Sequence, residues 1–308
     1  MIAIEELAYV RYVAPDLDVM ESFLVDFGLA RAKRTPDALY MRSAGDRPFV
    51  YVAHKAEAPG GVGFGLLASG MEDLQRLAAE LGAQVETSDE PGGGHVVRLV
   101  DPDGYKIEVV WGAQRVAPLP TRAPVAANFS GVQPRRGSVV RLTPGPSRVM
   151  RIGHVVIRVS SYKRSYDFYS RLFGLKVSDS YFAGEQSNTV AAFLRAGLGT
   201  RYTDHHCVAL VESPKIGFDH SSFEVIDWDD VVFGHKHLEA KGYRLSWGIG
   251  RHNHGSQIFD YWRDPYGGKI EHYTDGDLAN DDYETTRVPL TPDALAQWAP
   301  PMPADFFD

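Results

Sequence analysis

The sequence predicts an α+β chain of two domains, each made of two βαβββ modules that curl into an incomplete barrel around a cavity. Two observations carry this prediction. First, DPDGYKIE at 101–108 returns as DPYGGKIE at 264–271, identical at six of eight positions and 163 residues away. Other landmarks keep a similar spacing: Phe27-Gly28-Leu29 matches Phe173-Gly174-Leu175 at 146 residues, and Gly82 matches Gly242 at 160. The slow drift assigns small insertions to the second copy. Second, each copy holds a fainter repeat of strand, glycine-closed helix and short strands.

Taken in order, LAYVRYVA (7–14) is a β-branched, alternating run, and the helical spacing after it stops at Gly28, a C-cap glycine. ALYMRSA (38–44) and GVGFGLLA (61–68) read as strands. A second amphipathic helix closes at Gly82, followed by strand, DPDG turn and strand. The later copy runs through IGHVVIRVS, TVAAFLRA and GFDHSSFEV to a helix closing at Gly242 and the DPYG turn. The predicted domains are 1–113 and 148–275. Residues 114–147, rich in Pro, Gly and Arg and without a period, form a connector, and 276–308 is an extension with no counterpart in the first copy.

Composition narrows the function. The chain has 308 residues, 44% hydrophobic and 23% charged, with net charge −8, an ordinary globular balance without the basic footprint of a nucleic-acid binder. The single cysteine, Cys207, cannot form an internal disulfide or a thiolate metal cluster, so any metal takes His and carboxylate ligands. No apolar run approaches the ~18 residues of a membrane span, and MIAIEELAYV does not read as a leader. The expectation is a cytoplasmic protein with no membrane or nucleic-acid partner.

Of eleven histidines, only His54 and His95 fall in the first copy. Aligning the copies sets Tyr9 against His154, Phe64 against His220 and Glu108 against Glu271. The second copy therefore carries His, His and Glu on strand positions facing one cavity. Two imidazoles and one carboxylate on one face of a metal leave neighbouring positions open, the arrangement of a non-haem Fe(II) site that binds substrate and O₂ together.

With these residues the chain resembles, over nearly its whole length, the type I extradiol ring-cleavage dioxygenases of the vicinal oxygen chelate superfamily. The resemblance implies metal ligation by His154 (IGHVVIRV), His220 (FDHSSFEV) and Glu271 (GGKIEHY). HHCVAL at 205–210 resembles a family segment whose second histidine is the acid–base residue, here His206. GRHNHGSQIFDYWRDPYGGKIE resembles the family signature, placing catalytic residues at His252 and Tyr261. Implied with it are Fe(II) ahead of Mn(II), O₂ as co-substrate, a small aromatic diol as substrate, a ring-opened semialdehyde product and a homo-oligomer.

The remaining candidates have plainer readings. His205 should point away from His206 and be structural, His235 and His237 should be solvated on a helix, His272 should face away from Glu271, and Cys207 is a small buried hydrophobe. Asp260, Trp262 and Arg263 read as strand and turn residues. In WAPPMPADFF, Trp298 or Phe307 is a candidate lid over the site. Rival functions are a glyoxalase-type metalloenzyme, a hydroxyphenylpyruvate-type dioxygenase, and a metal-free binding protein on the same scaffold. The lack of ligands in the first copy argues against the first, the HHCVAL segment fits the second poorly, and the His-His-Glu set disfavours the third.

Overall fold

The computed structural model describes residues 1–307. Its first half runs β1 (Ile4–Ala14), α1 (Leu17–Phe27), β2 (Ala30–Arg34), β3 (Ala38–Arg42), β4 (Tyr51–Lys55), β5 (Gly60–Ala68), α2 (Met71–Leu81), β6 (Glu86–Thr87), β7 (His95–Val100) and β8 (Lys106–Trp111). The second repeats the order as β9 (Val149–Val159), α3 (Tyr162–Phe173), β10 (Lys176–Phe182), β11 (Thr189–Arg195), β12 (Thr203–Asp204), β13 (Val208–Glu212), β14 (Gly217–Val225), α4 (Trp228–Ala240), β15 (Leu245–His252), β16 (Ile258–Arg263) and β17 (Lys269–Thr274). Then follow β18 (Leu278–Ala279), β19 (Thr286–Pro289) and β20 (Ala296–Trp298). This is the predicted α+β architecture of four βαβββ modules.

Local chemistry explains the punctuation. Asp16 caps α1, its carboxylate accepting from the amides of Asp18 at 2.8 Å and Val19 at 3.1 Å. Gly28 ends the helix at φ 112°, where a Cβ would also lie 2.2 Å from the Ser147 carbonyl oxygen; both the conformation and the space require glycine. Between Trp111 and Val149 the only backbone ladder is a bridge between Phe129 and Val132. That stretch is nevertheless tied down: Arg122 donates through both terminal nitrogens, at 2.6 and 2.5 Å, to Asp227, the cap of α4.

In each half two long antiparallel strands, β1 with β5 and β9 with β14, form the centre of a curled sheet, with β8 and β17 parallel to the second strand of each pair. The sheets carry eight and ten strands. β19 and β20 of the extension add to the two opposite ends of the larger sheet. One apolar core runs through both halves, with Phe27 edge-on to Phe223 at 5.7 Å and Phe64 stacked on Tyr169 at 6.2 Å.

The ladders correct one equivalence drawn from the sequence. Across β9, β14 and β17, His220 pairs with Val156 and Lys269, while Ser222 pairs with His154 and Glu271. Across β1, β5 and β8, Gly63 pairs with Arg11 and Lys106, while Gly65 pairs with Tyr9 and Glu108. Tyr9 and Glu108 are thus the counterparts of His154 and Glu271, but His220 corresponds to Gly63, not Phe64. Phe64 faces the core and is 1% exposed.

Candidate active site

His154 lies mid-strand on β9, His220 near the start of β14 and Glu271 on β17, neighbouring strands whose inward positions converge. Each offers a ligand atom within 4.8 Å of the other two, and among the described residues this is the group of three or more that could hold a metal. His154 Nε2 stands 3.3 Å and His220 Nε2 3.4 Å from Glu271 Oε2. Yet His220 Nε2 and both Glu271 oxygens are buried without a hydrogen-bond partner. Such atoms cost about 1–3 kcal/mol each when left unsatisfied, and a divalent cation would satisfy all three at once. The donor set suits Fe(II) or Mn(II).

The electrostatics match. Burial pushes the Glu271 pKa upward, but the imidazoles of His154, His220 and His252 outweigh it and hold the carboxyl well below the usual range. His154 is lowered, chiefly by burial, which favours the neutral, ligating form. His220 Nδ1 lies 2.8 Å from Asp219 Oδ1, a bond that orients the ring and leaves Nε2 toward Glu271. Asp219 is itself held by Lys269 Nζ at 3.0 Å and Arg158 at 3.1 Å.

His206 packs against His154, ring centroids 4.0 Å apart, and against Phe193 at 4.8 Å. Burial, followed by the neighbouring His154 and His205, pushes its pKa well below 6.5, so it enters the site neutral. Here the structure departs from expectation twice. His205 and His206 precede β13 in an irregular bend, so strand alternation does not apply to them. His205 does not turn away: its Nδ1 meets His206 Nδ1 at 3.0 Å and its Nε2 meets Asp179 Oδ2 at 2.8 Å. Asp179, on β10, is a site residue that sequence reasoning missed.

His252 Nε2 and the Tyr261 hydroxyl are 2.8 Å apart, and His252 Nδ1 lies 2.9 Å from the Leu295 carbonyl. The carbonyl can only accept, so His252 carries its proton on Nδ1 and receives the Tyr261 O–H at Nε2. Burial and then the Glu271 charge push the Tyr261 phenol well above 10, so it serves as donor and not as base.

All six predicted residues touch one cavity or its floor, Glu271 beneath it and the other five lining it. The opposite wall is apolar, including Ala191, Phe193, Leu290 and Leu295, and among the described residues no lysine or arginine lines it. Phe306 and Phe307 cover one side. Trp298, by contrast, is half exposed on β20 and does not line the cavity, so the lid candidate among the aromatics is the Phe pair.

Other expectations are also revised. His235 and His237 are not solvated: His235 Nδ1 bonds to Asp260 at 2.9 Å and His237 Nε2 to Asp26 at 2.7 Å. His272 faces away from Glu271 as expected, stacking on Phe27 at 3.7 Å with its Nε2 2.7 Å from the Phe27 carbonyl oxygen, the end of α1. In the first half, the place matching the candidate metal centre is occupied by a side chain. Arg11 contacts Glu108 and Glu90, both at 2.6 Å, and Tyr9 donates to Glu108 at 2.7 Å.

This fold and site place the chain in a class. Residues 151–272 match the Glyoxalase/Bleomycin resistance protein/Dioxygenase superfamily. The chain is 30% identical to Metapyrocatechase 2 of Cupriavidus necator over 307 residues, covering 99% of this chain and 92% of that protein. It belongs to the type I extradiol dioxygenases of that superfamily and is an enzyme of that family. Among solved structures, homoprotocatechuate 2,3-dioxygenase of Brevibacterium fuscum, in an anaerobic complex with 3,4-dihydroxyphenylacetate, shares the fold at TM-score 0.82 and 20% identity, covering 99% and 92% of the two chains. A Mn(II)-bound glyoxalase from Novosphingobium aromaticivorans shares it at TM-score 0.80 and 23% identity, covering 100% of this chain and 95% of that one.

Proposed function

We propose that this enzyme holds Fe(II) through His154, His220 and Glu271 and uses O₂ to open an aromatic ring beside a vicinal diol, both oxygen atoms entering a hydroxymuconic semialdehyde-type product. The single observation that carries the reading is the buried set of two imidazoles and one carboxylate with unsatisfied polar atoms, in a chain 30% identical to a metapyrocatechase. The iron would supply positive charge that acidifies the diol and electrons for oxygen chemistry. Mn(II) is the second choice. A glyoxalase reading is disfavoured by Arg11, which fills the corresponding place in the first half.

The protein's own groups have assignable tasks. His206, neutral and buried beside His154, is the acid–base residue, taking a proton and returning it as the ring opens. Tyr261 remains protonated; it gives its one proton to His252 Nε2 and offers an oxygen lone pair to a hydroxyl of the bound diol. The apolar wall and Phe306 exclude water. With no cationic side chain in the wall, a neutral diol fits better than a carboxylated one. The reading includes a homo-oligomer in the cytoplasm, the former checked by light scattering.

The test is anaerobic loading with Fe(II) followed by oxygen uptake against a small panel of neutral catechols. Uptake matched one-to-one by a yellow ring-opened product is expected, and His206→Phe should slow turnover by about 10²-fold while retaining iron. Fully loaded protein that consumes no oxygen with any catechol would overturn the reading.

A further inference from the structure

Asp179 is 1% exposed and its carboxylate is crowded with donors. Oδ1 accepts from the Thr286 amide at 2.7 Å and the Thr286 hydroxyl at 2.5 Å; Oδ2 accepts from the Tyr283 hydroxyl at 2.9 Å and lies 2.8 Å from His205 Nε2 and 3.3 Å from His254 Nδ1. Both Thr286 and Tyr283 belong to the C-terminal extension.

We propose that Asp179 and His205 are positioning residues that fix the tautomer and orientation of His206, so that a lone pair on His206 Nε2, and not an N–H, faces the diol. The inference deepens the ring-cleavage reading and takes the acid–base role of His206 from it.

The proposal takes His205 to hold a single proton, and the chain of hydrogen bonds then has one consistent direction. An ionised carboxylate accepts only, so His205 carries its proton on Nε2. With that single proton on Nε2, His205 is bare at Nδ1 and accepts at the 3.0 Å contact, which puts the shared proton on His206 Nδ1. That leaves His206 Nε2 unprotonated, and no protein group is bonded to it among the described residues, whereas its neighbour nitrogen is fully used. The His205 and His206 rings are nearly perpendicular, at 89°, which aims one nitrogen of the first at the edge of the second.

The backbone here is clamped as well. The His205 amide donates to Asp277 at 2.9 Å, and its carbonyl accepts from Ser178 Oγ at 2.6 Å. Arg195 holds Ser178 Oγ in turn at 3.2 Å. A carboxylate bonded directly to a working imidazole is a known way to set which ring nitrogen carries the proton. Here a second imidazole stands between the two, and three donors to the carboxylate come from two residues more than 100 positions later in the chain.

Two measurements test this. In ¹⁵N-histidine spectra of protein loaded with diamagnetic Zn(II), His206 should appear as the Nδ1–H tautomer, and His205→Phe should convert it to a mixture. In Fe(II)-loaded protein, His205→Phe should lower kcat by about 10-fold or more with KM and metal content within about 2-fold. His205→Gln, whose side-chain oxygen can accept from His206 Nδ1, should recover much of the loss. In a His206→Phe background, His205→Phe should have no further effect on kcat.

An Nε2–H tautomer in the unaltered protein overturns the proposal, as does an equal loss from His205→Phe in both backgrounds, the mark of packing alone. Should the loaded protein cleave no catechol, the ring-cleavage reading fails, and the spectra still decide the tautomer.

Discussion

The Lys269 ammonium lies 3.6 Å from the centre of the Phe306 ring and donates to that residue's carbonyl oxygen at 2.8 Å. The same ammonium holds Asp219 Oδ1 at 3.0 Å, and Asp219 orients His220. One buried cation therefore joins a candidate metal ligand to the segment that covers the cavity. Arg263 adds to the seat by donating to the Asp305 carbonyl at 2.9 Å.

Replacing this cation should disturb both of its partners. Lys269→Met is expected to weaken metal binding by about 10-fold, through the loosened Asp219, and to expose residues 305–307 to proteolysis. Phe306→Ala should retain the metal and raise KM. Equilibrium dialysis of the metal and limited chymotrypsin digestion check the pair; unchanged metal affinity in Lys269→Met would separate the tail from the ligand.

Removing a ligand should remove the ion together with its contribution to stability. His154→Ala and Glu271→Gln are expected to hold less than about a tenth of the metal of the parent. The parent at a free metal concentration of 100 Kd gains ~2.7 kcal/mol against unfolding, and the variants should gain none at that concentration. Metal analysis and denaturation with and without chelator give the comparison.

In the first half, Arg11 neutralises carboxylates that are scarcely exposed. Arg11→Met leaves Glu108 and Glu90 without their shared partner and should cost ~3 kcal/mol in urea unfolding, with metal content unchanged. Adding Glu108→Gln should restore part of the loss. A second replacement that deepened it would count against charge compensation as the cause.

His272 gives a pH dependence with a defined sign. Burial is the main cause that lowers its pKa, from 6.5 to about 4, while its bond to the Phe27 carbonyl opposes the shift. Between these values the unfolded chain binds more protons than the folded one, so stability falls as pH drops from 6.5 toward 4 and is fully retained above 6.5. The full loss is ~3 kcal/mol. Urea midpoints of chelator-treated protein at pH 5 and pH 7 should therefore differ less in His272→Asn than in the parent.

The sequence made the four modules legible because their caps and turns are local: Gly28, Gly174 and the paired DP turns mark them without reference to tertiary contacts. His154, His220 and Glu271 could be singled out because the duplication supplied an internal control. His205 was misread because the alternation argument assumed a strand, and the residue sits in the bend before β13. Its partner Asp179 lies 26 residues earlier, a separation with no local signature. Gly63 escaped for a different reason. β5 and β14 carry the same one-residue register shift just before this position, but a glycine leaves no hydrophobic mark to align, whereas Phe64 beside it does. The pairing of His235 with Asp260 and of His237 with Asp26 depends on other elements crossing the helix, which helical spacing alone cannot reveal.

The guanidinium of Arg11 has a consequence for how the molecule lives with scarcity. A charge attached by covalent bonds has no dissociation constant, so the first barrel keeps its shape whatever the supply of trace elements. On the proposed function only the second barrel would answer to that supply, through one ion held by His154, His220 and Glu271.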